Sequence, residues 1–424
     1  MNAEQKSSIS SKKAKAIKAF RDHVSSGKAD FFETFGMDLV MGEREGMFLS
    51  DMDRGKRLFN LHCNGGVFNL GHRNPELIEL LKKSLDRFDI GNGHLMSRMR
   101  AELGEQIAGL MPADLDYTVF GVSGGEAVDL AIKVARAYTS REKIISAKGG
   151  YHGHTGLALA AGDRRYREPF HVSAQGFAQV PFGDAGSLDS VIGEDTAAVI
   201  LETIPATLGM VMPPPDYLAA VREQCTRAGA LLIMDEVQTG LGRTGRLWGF
   251  EHYGVVPDMV VLGKGLSGGI YPITATVLRT PIEQVFHEDP FIHVSTFGGA
   301  ELGCCVAGRV LEMSADPAFL DHVNALADDF RRCVGVLQEK YSDFVINFRQ
   351  LGLMMGLVFQ GEASGQVVSK TAYDNDLLMV YANNDPSVCQ LLPPLTMDRN
   401  KMDWVAARLD RAVAQARAFV FGAK

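Results

Sequence analysis

Short apolar runs and longer amphipathic stretches alternate along the chain. Ala230-Leu231-Leu232-Ile233-Met234 and Met259-Val260-Val261-Leu262 contain no polar residue, the mark of strands buried on both faces of a parallel sheet. Tyr117–Val122, Lys143–Ala147 and Ala197–Glu202 predict further strands. Apolar residues at helical spacing follow Ala14, fill Pro75–Phe88 and Ala101–Leu110, and continue from Glu126 through Tyr138. Pro75 opens its helix at a position where a missing N–H costs nothing. Glu45–Gly55 predicts a hairpin, while Ala318–Tyr341, Asp343–Gln360 and Met402–Phe419 predict helix, strands and helix. This alternation places the chain in the α/β class.

In open α/β sheets, ligands bind beyond the carboxyl ends of the strands, and polar residues gather at those ends here. One buried run delivers Asp235-Glu236 and the other Gly263-Lys264-Gly265, so an acid and a lysine face one crevice. Tyr117–Val122 runs into Ser123-Gly124-Gly125 and a helix; free N–H groups and the helix dipole make such a turn an anion site, although it also serves as an ordinary cap. Lys143–Ala147 ends in Gly149-Gly150-Tyr151-His152-Gly153-His154, and an aromatic at that edge can stack on a flat ring. His152 and His154 have no cysteine or acid at ligand spacing, so no metal site is expected.

A lysine amine can condense with an aldehyde such as pyridoxal phosphate while a carboxylate holds the ring nitrogen protonated. Raising a pyridine nitrogen by ~3 pK units takes about 4 kcal/mol. One carboxylate ~4 Å away, at an effective dielectric of about 20, contributes roughly that much.

Composition narrows the setting. A chain of 424 residues, 46% hydrophobic, can bury a large core. No apolar run approaches the ~20 residues of a membrane span, and a net charge of −8 argues against a nucleic-acid surface. Six cysteines without CxxC spacing point to a reduced, cytoplasmic setting. Residues 1–13 are polar, basic and serine-rich, and read as a frayed arm without the apolar core of a secretory signal.

Asp235–Gly245 (DEVQTGLGRTG), Phe250–Asp258 (FEHYGVVPD) and Gly263–Gly269 (GKGLSGG) resemble the signature of class III aminotransferases. These are pyridoxal-phosphate enzymes of fold type I, and the likeness runs from about Glu45 to Pro394. The resemblance implies a large domain with a central, mostly parallel sheet flanked by helices, plus a small α+β domain drawn from both termini. The expected division is residues 1–70 for the arm and part of the small domain, 71–317 for the large cofactor-binding domain and 318–424 for the rest of the small one. By the same resemblance Lys264 is the Schiff-base lysine and Asp235 the partner of the ring nitrogen. Val237 lies against the ring, Gln238 near its hydroxyl and Tyr151 over its face, with Glu202 in the cofactor set. Ser123, Gly124 and Gly125 hold the phosphate. Thr296, in a Ser-Thr-Phe-Gly-Gly loop, reaches the other subunit's cofactor phosphate in a homodimer.

Three positions depart from the family. Many members read Glu-Pro-(Val/Ile)-Gln-Gly-Glu-Gly-Gly where this chain has Glu202 to Gly209, so Thr207 replaces the second glutamate. In members that use glutamate as donor, that residue pairs with an arginine before a Pro-Pro-Leu; Gln390 holds its place here. His154 stands where some members carry arginine. The reading is therefore an aminotransferase working by a ping-pong mechanism on a primary amine or amino acid and a carbonyl acceptor, without the usual Glu–Arg switch. The departures leave open a racemase or epimerase on the same scaffold. Gly240-Leu-Gly242-Arg-Thr-Gly245 also matches the G-x-G-x-x-G of nicotinamide dehydrogenases. However, Gly249 and Gly254 suit no helix behind it, and the preceding acid pair would repel a pyrophosphate.

Overall fold

The computed structural model describes residues 11–422. Most of the polar arm, residues 1–10, lies outside them. The helix Ser11–His23 takes in the last three residues of that arm, and its Lys13 turns inward to the carboxylates of Asp51 and Asp38. Strands β1 (Met41–Glu45), β2 (Phe48–Asp51) and β3 (Arg57–Asn60) form an antiparallel meander. The hairpin expected over Glu45–Gly55 is thus part of a three-stranded unit.

The central sheet contains β4 (Tyr117–Gly121), β5 (Lys143–Ala147), β6 (Phe177–Val180), β7 (Thr196–Glu202), β8 (Leu231–Asp235), β9 (Met259–Leu262) and β10 (Thr274–Leu278). Their order is β4-β10-β9-β8-β7-β5-β6. β10 runs opposite to the other six strands. Every residue of β7 to β10 is buried. Alternate residues of β8 enter opposite cores: Leu232 and Met234 join Ile107, Val221 and Val306, while Leu231 and Ile233 join Val128 and Ile132 of the helix Gly124–Thr139. Apolar patterning does not announce β6 or β10. Phe177–Val180 is a half-covered edge strand, and β10 carries buried threonines whose hydroxyls bond carbonyls at Ser123 and Ala127.

A second core lies between the helices Pro317–Lys340 and Met402–Phe421 and the remaining strands. These are β11 (Val345–Leu351), β12 (Met354–Phe359), β13 (Leu377–Leu378), β14 (Val380–Ala382) and β15 (Asp385–Leu391). Strands β11-β12-β15-β14 form an antiparallel sheet. β13 instead pairs in parallel with β3, which joins the two ends of the chain. The architecture is α/β, a mostly parallel sheet between helices with smaller sheets at its side. Among the described residues, no helix is long and apolar enough to cross a membrane.

Candidate active site

Strand register brings the chemistry together. Glu202 pairs with Asp235, and Asp235 with Val261, so the tips of β7, β8 and β9 end side by side. Asp235 is 5% exposed. Its Oδ1 accepts the N–H of Val237 at 3.1 Å, and its Oδ2 lies 2.8 Å from Nδ1 of buried His152. The adjacent Glu236 turns the other way: its carboxylate accepts the N–H groups of Gly249 (2.7 Å) and Phe250 (3.1 Å) and the hydroxyl of Thr203. One acid of the pair serves the cavity and the other ties down a turn.

Lys264 follows β9 with φ of 41°, a left-handed conformation that costs a β-carbon-bearing residue roughly 1–2 kcal/mol. The glycines around it make room: a Cβ at Gly265 would lie 2.8 Å from Asn69 Nδ2, and one at Gly65 3.4 Å from Lys264 Cε. Lys264 Nζ donates to Gln238 Oε1 at 2.9 Å. Burial pushes its pKa down, against the opposing charges of Asp235 and Glu202. Burial raises the Glu202 carboxyl to about 7, while the charge of His152 lowers it and that of Asp235 raises it. Glu202 accepts the N–H of Tyr151 at 2.8 Å. For His152 burial favours the neutral ring, but the hydrogen bond and charge of Asp235, with Glu202 nearby, raise its pKa overall.

Beyond β4, the Ser123 hydroxyl accepts the N–H of Glu126 at 3.3 Å, and the Glu126 carboxylate accepts that of Val122 at 2.7 Å. The Ser123 cap starts the helix, and Gly124 and Gly125 face the cavity. A Cβ at Gly125 would meet Thr155 Oγ1 at 2.7 Å. One at Gly153, whose φ is 122°, would meet Gly125 Cα at 2.6 Å. Backbone and small hydroxyls, not side-chain bulk, form this wall.

The resulting cavity, about 370 Å³, is lined by Ser123, Gly124, Gly125, Tyr151, His154, Glu202, Asp235, Val237, Gln238 and Lys264 from the sequence-predicted set. His154 lies between the rings of Tyr151 (5.1 Å) and Tyr166 (5.4 Å). Three predicted residues are outside it. Thr207 Oγ1 donates to the Gly149 carbonyl at 3.0 Å. Gln390 is buried in β15, opposite Gly356 and Val380. Thr296 is exposed on a surface loop. The lining also includes Thr155 and Thr239, which no sequence signal marked, since a threonine beside a glycine-rich turn reads as plain turn chemistry. A glycine-walled recess at a helix amino terminus, a buried amine and a facing carboxylate together fit an anionic aldehyde with a basic ring.

The Gly240–Gly245 turn opens no helix. It is buried, and Arg243, fully inaccessible, bonds Asn69 Oδ1 (2.6 Å) and the carbonyls of Pro393 (2.8 Å) and Leu353 (3.2 Å). A short 3-10 turn, Gly249–Tyr253, comes after it. No helix amino terminus is available there for a dinucleotide.

Comparison with known proteins gives a consistent result. The family profile for aminotransferase class-III matches residues 33–413. An uncharacterized aminotransferase from Archaeoglobus fulgidus is 54% identical over 401 residues, covering 95% of this chain and 94% of its own. A putrescine aminotransferase from Pectobacterium atrosepticum is 36% identical over 80% of this chain and 75% of its own. Among solved structures, the ornithine aminotransferase of Toxoplasma gondii, described with partial occupancy of pyridoxal phosphate at its active site, superimposes with a TM-score of 0.83. It shares 25% identity, covering 95% of this chain and 98% of that one.

Proposed function

The chain belongs to the class III aminotransferases, and on that premise we propose that it works in two half-reactions on amino donors that need not carry an α-carboxylate. The family's transaminase chemistry, rather than racemisation, is what its relatives carry. Pyridoxal phosphate, the cofactor of this family, supplies when bound an aldehyde carbon for the amino group and a ring that takes up an electron pair. The supporting observation is a buried amine with a lowered pKa in the same cavity as the Asp235–His152 pair.

With the cofactor bound, Lys264 Nζ would carry it and, when free, would take the proton from the substrate carbon that bears nitrogen. A depressed pKa keeps more of that amine unprotonated and competent as a base. Asp235, oriented by Val237 N–H and His152, would pair with the ring nitrogen. Val237 and Tyr151 would flank the ring, with Gln238 near its hydroxyl. Ser123, Gly124 and Gly125 would hold the phosphate, and Thr296 would contribute from a second copy of the chain. The unpaired cysteines suit the proposed cytoplasmic setting.

On the donor side, neither Thr207 nor Gln390 offers a charge to an α-carboxylate, an interaction worth about 1.5–3 kcal/mol. The putrescine aminotransferase among the relatives makes diamines the first donors to try. Borohydride reduction of the holoenzyme should fix the cofactor to the peptide containing Lys264, and Lys264→Ala should abolish the attachment. A half-reaction comparison of putrescine, simple amines, L-alanine and L-glutamate, read from cofactor absorbance, tests the donor class. Turnover of L-glutamate alone would refute it.

A further inference from the structure

The segment that carries Tyr151 to the cavity is gripped two residues earlier. Gly149 N–H donates to Asp163 Oδ1 at 3.0 Å. Its carbonyl accepts from Thr207 Oγ1 at 3.0 Å and from Asn384 Nδ2 at 2.9 Å. A carbonyl oxygen offers two lone pairs, and both are used. Gly149 has φ of 79°, and a Cβ there would lie 2.5 Å from Leu208 Cδ1. The peptide therefore has one seat, and only glycine fits it.

Asn384 belongs to the opposite end of the chain, in the two-residue turn between β14 and β15. It is itself held on every side. Its backbone N–H donates to the Thr207 carbonyl at 2.9 Å. Its side-chain oxygen accepts from the Tyr166 hydroxyl at 3.3 Å and from Arg165. The ring of Tyr166 in turn lies tilted against His154, and that of His154 tilted against Tyr151. One asparagine thus touches both the backbone that leads to Tyr151 and the row of rings that ends on it.

We infer that Asn384 and Thr207 are positioning residues, which fix the Gly149 carbonyl and through it the Tyr151 ring, so that a turn of the small sheet sets the seat of the cofactor. Thr207 holds the loop instead of meeting the substrate. This rests on the reading that Tyr151 faces the cofactor ring, and the experiment separates the two. In Thr207→Val, which keeps the shape and loses the hydroxyl, the apparent Kd for pyridoxal phosphate rises about threefold to tenfold, as expected for one neutral hydrogen bond. The circular dichroism of the bound cofactor falls with it. Thr207→Ser restores both signals. Asn384→Ala, which removes the other donor, repeats the loss and carries the test if the first variant folds poorly.

A tie that only stabilises the fold would lower the melting temperature and leave the cofactor signals alone; that outcome overturns the inference. In a Tyr151→Ala background Thr207→Val should cause no further change in Kd, because the two act through one contact. An equal effect in both backgrounds also overturns it. If Tyr151→Ala alone binds cofactor like the unaltered enzyme, the premise about Tyr151 fails, and the inference fails with it.

Discussion

Glu202 shows how a single buried acid couples the site to stability. Its carboxyl is raised from 4.5 to about 7, chiefly by burial. The folded state therefore holds its proton more tightly than the unfolded chain does. That contribution is fully present below pH 4.5 and is lost as pH rises through about 7. The loss across that window is on the order of 3 kcal/mol. Glu202→Gln keeps an acceptor for Tyr151 N–H without the charge. Thermal unfolding of the cofactor-free protein should show the variant gaining stability over the parent at pH 8 but not at pH 4. Equal curves at both pH values would show that Glu202 is not strained by burial. Asp235 and Lys264 were legible from sequence because each follows an apolar run of the kind that forms a doubly covered strand. The sequence argued only against a metal site at His152. Its bond to Asp235 spans two strands' tips, and no local spacing encodes it.

At the scale of elements, the helix Gly124–Thr139 matters through its first turn. Its side-chain caps are satisfied by Ser123 and Glu126, which leaves the glycine backbone to serve the cavity. Gly125→Ala places a methyl 2.7 Å from Thr155 Oγ1, closer than real contacts allow, so wall or helix must shift. Pyridoxal phosphate affinity, measured by equilibrium dialysis, should fall by about tenfold or more, since a shift of the phosphate cradle forfeits charge-assisted hydrogen bonds. Gly104→Ala, at a helical site with nothing within 4 Å of the added Cβ, should leave affinity unchanged. Apolar patterning alone gives β5 and β9 the bounds they have. It does not give β10, because the buried threonines of that strand are paired with carbonyls of a helix distant in sequence, and a polar residue reads as exposed until its partner is known.

At the scale of the whole molecule, an apolar strip remains open. Phe291, Ile292, Val294 and Phe297 are 56%, 60%, 60% and 56% exposed, around the exposed Thr296. Several exposed apolar side chains on one segment suit an interface, and the proposed homodimer would cover them. Sedimentation should give twice the 46.1 kDa of one chain. Phe291→Asp with Phe297→Asp should yield monomers with weakened cofactor binding, because Thr296 would no longer reach a second site. Monomers with unimpaired affinity would remove Thr296 from the proposed set. The pairing of β13 with β3 supports treating residues 1–70 and 318–424 as parts of one proposed small domain.

By itself the sequence determined the sheet's centre and which acid and lysine stand at its edge. The apolar runs of β8 and β9 lie buried between the two cores on either side of the sheet, and the residues that follow each emerge at the sheet's edge. Only the tertiary structure decided what became of the residues that depart from the family. Thr207 donates to a backbone carbonyl, Gln390 is enclosed in a strand, and Asn384 grips the loop below Tyr151. Hydrophobic periodicity reports which face of an element is covered. It is silent about which distant carbonyl a hydroxyl or amide will find, because that depends on the docking of one sheet against another.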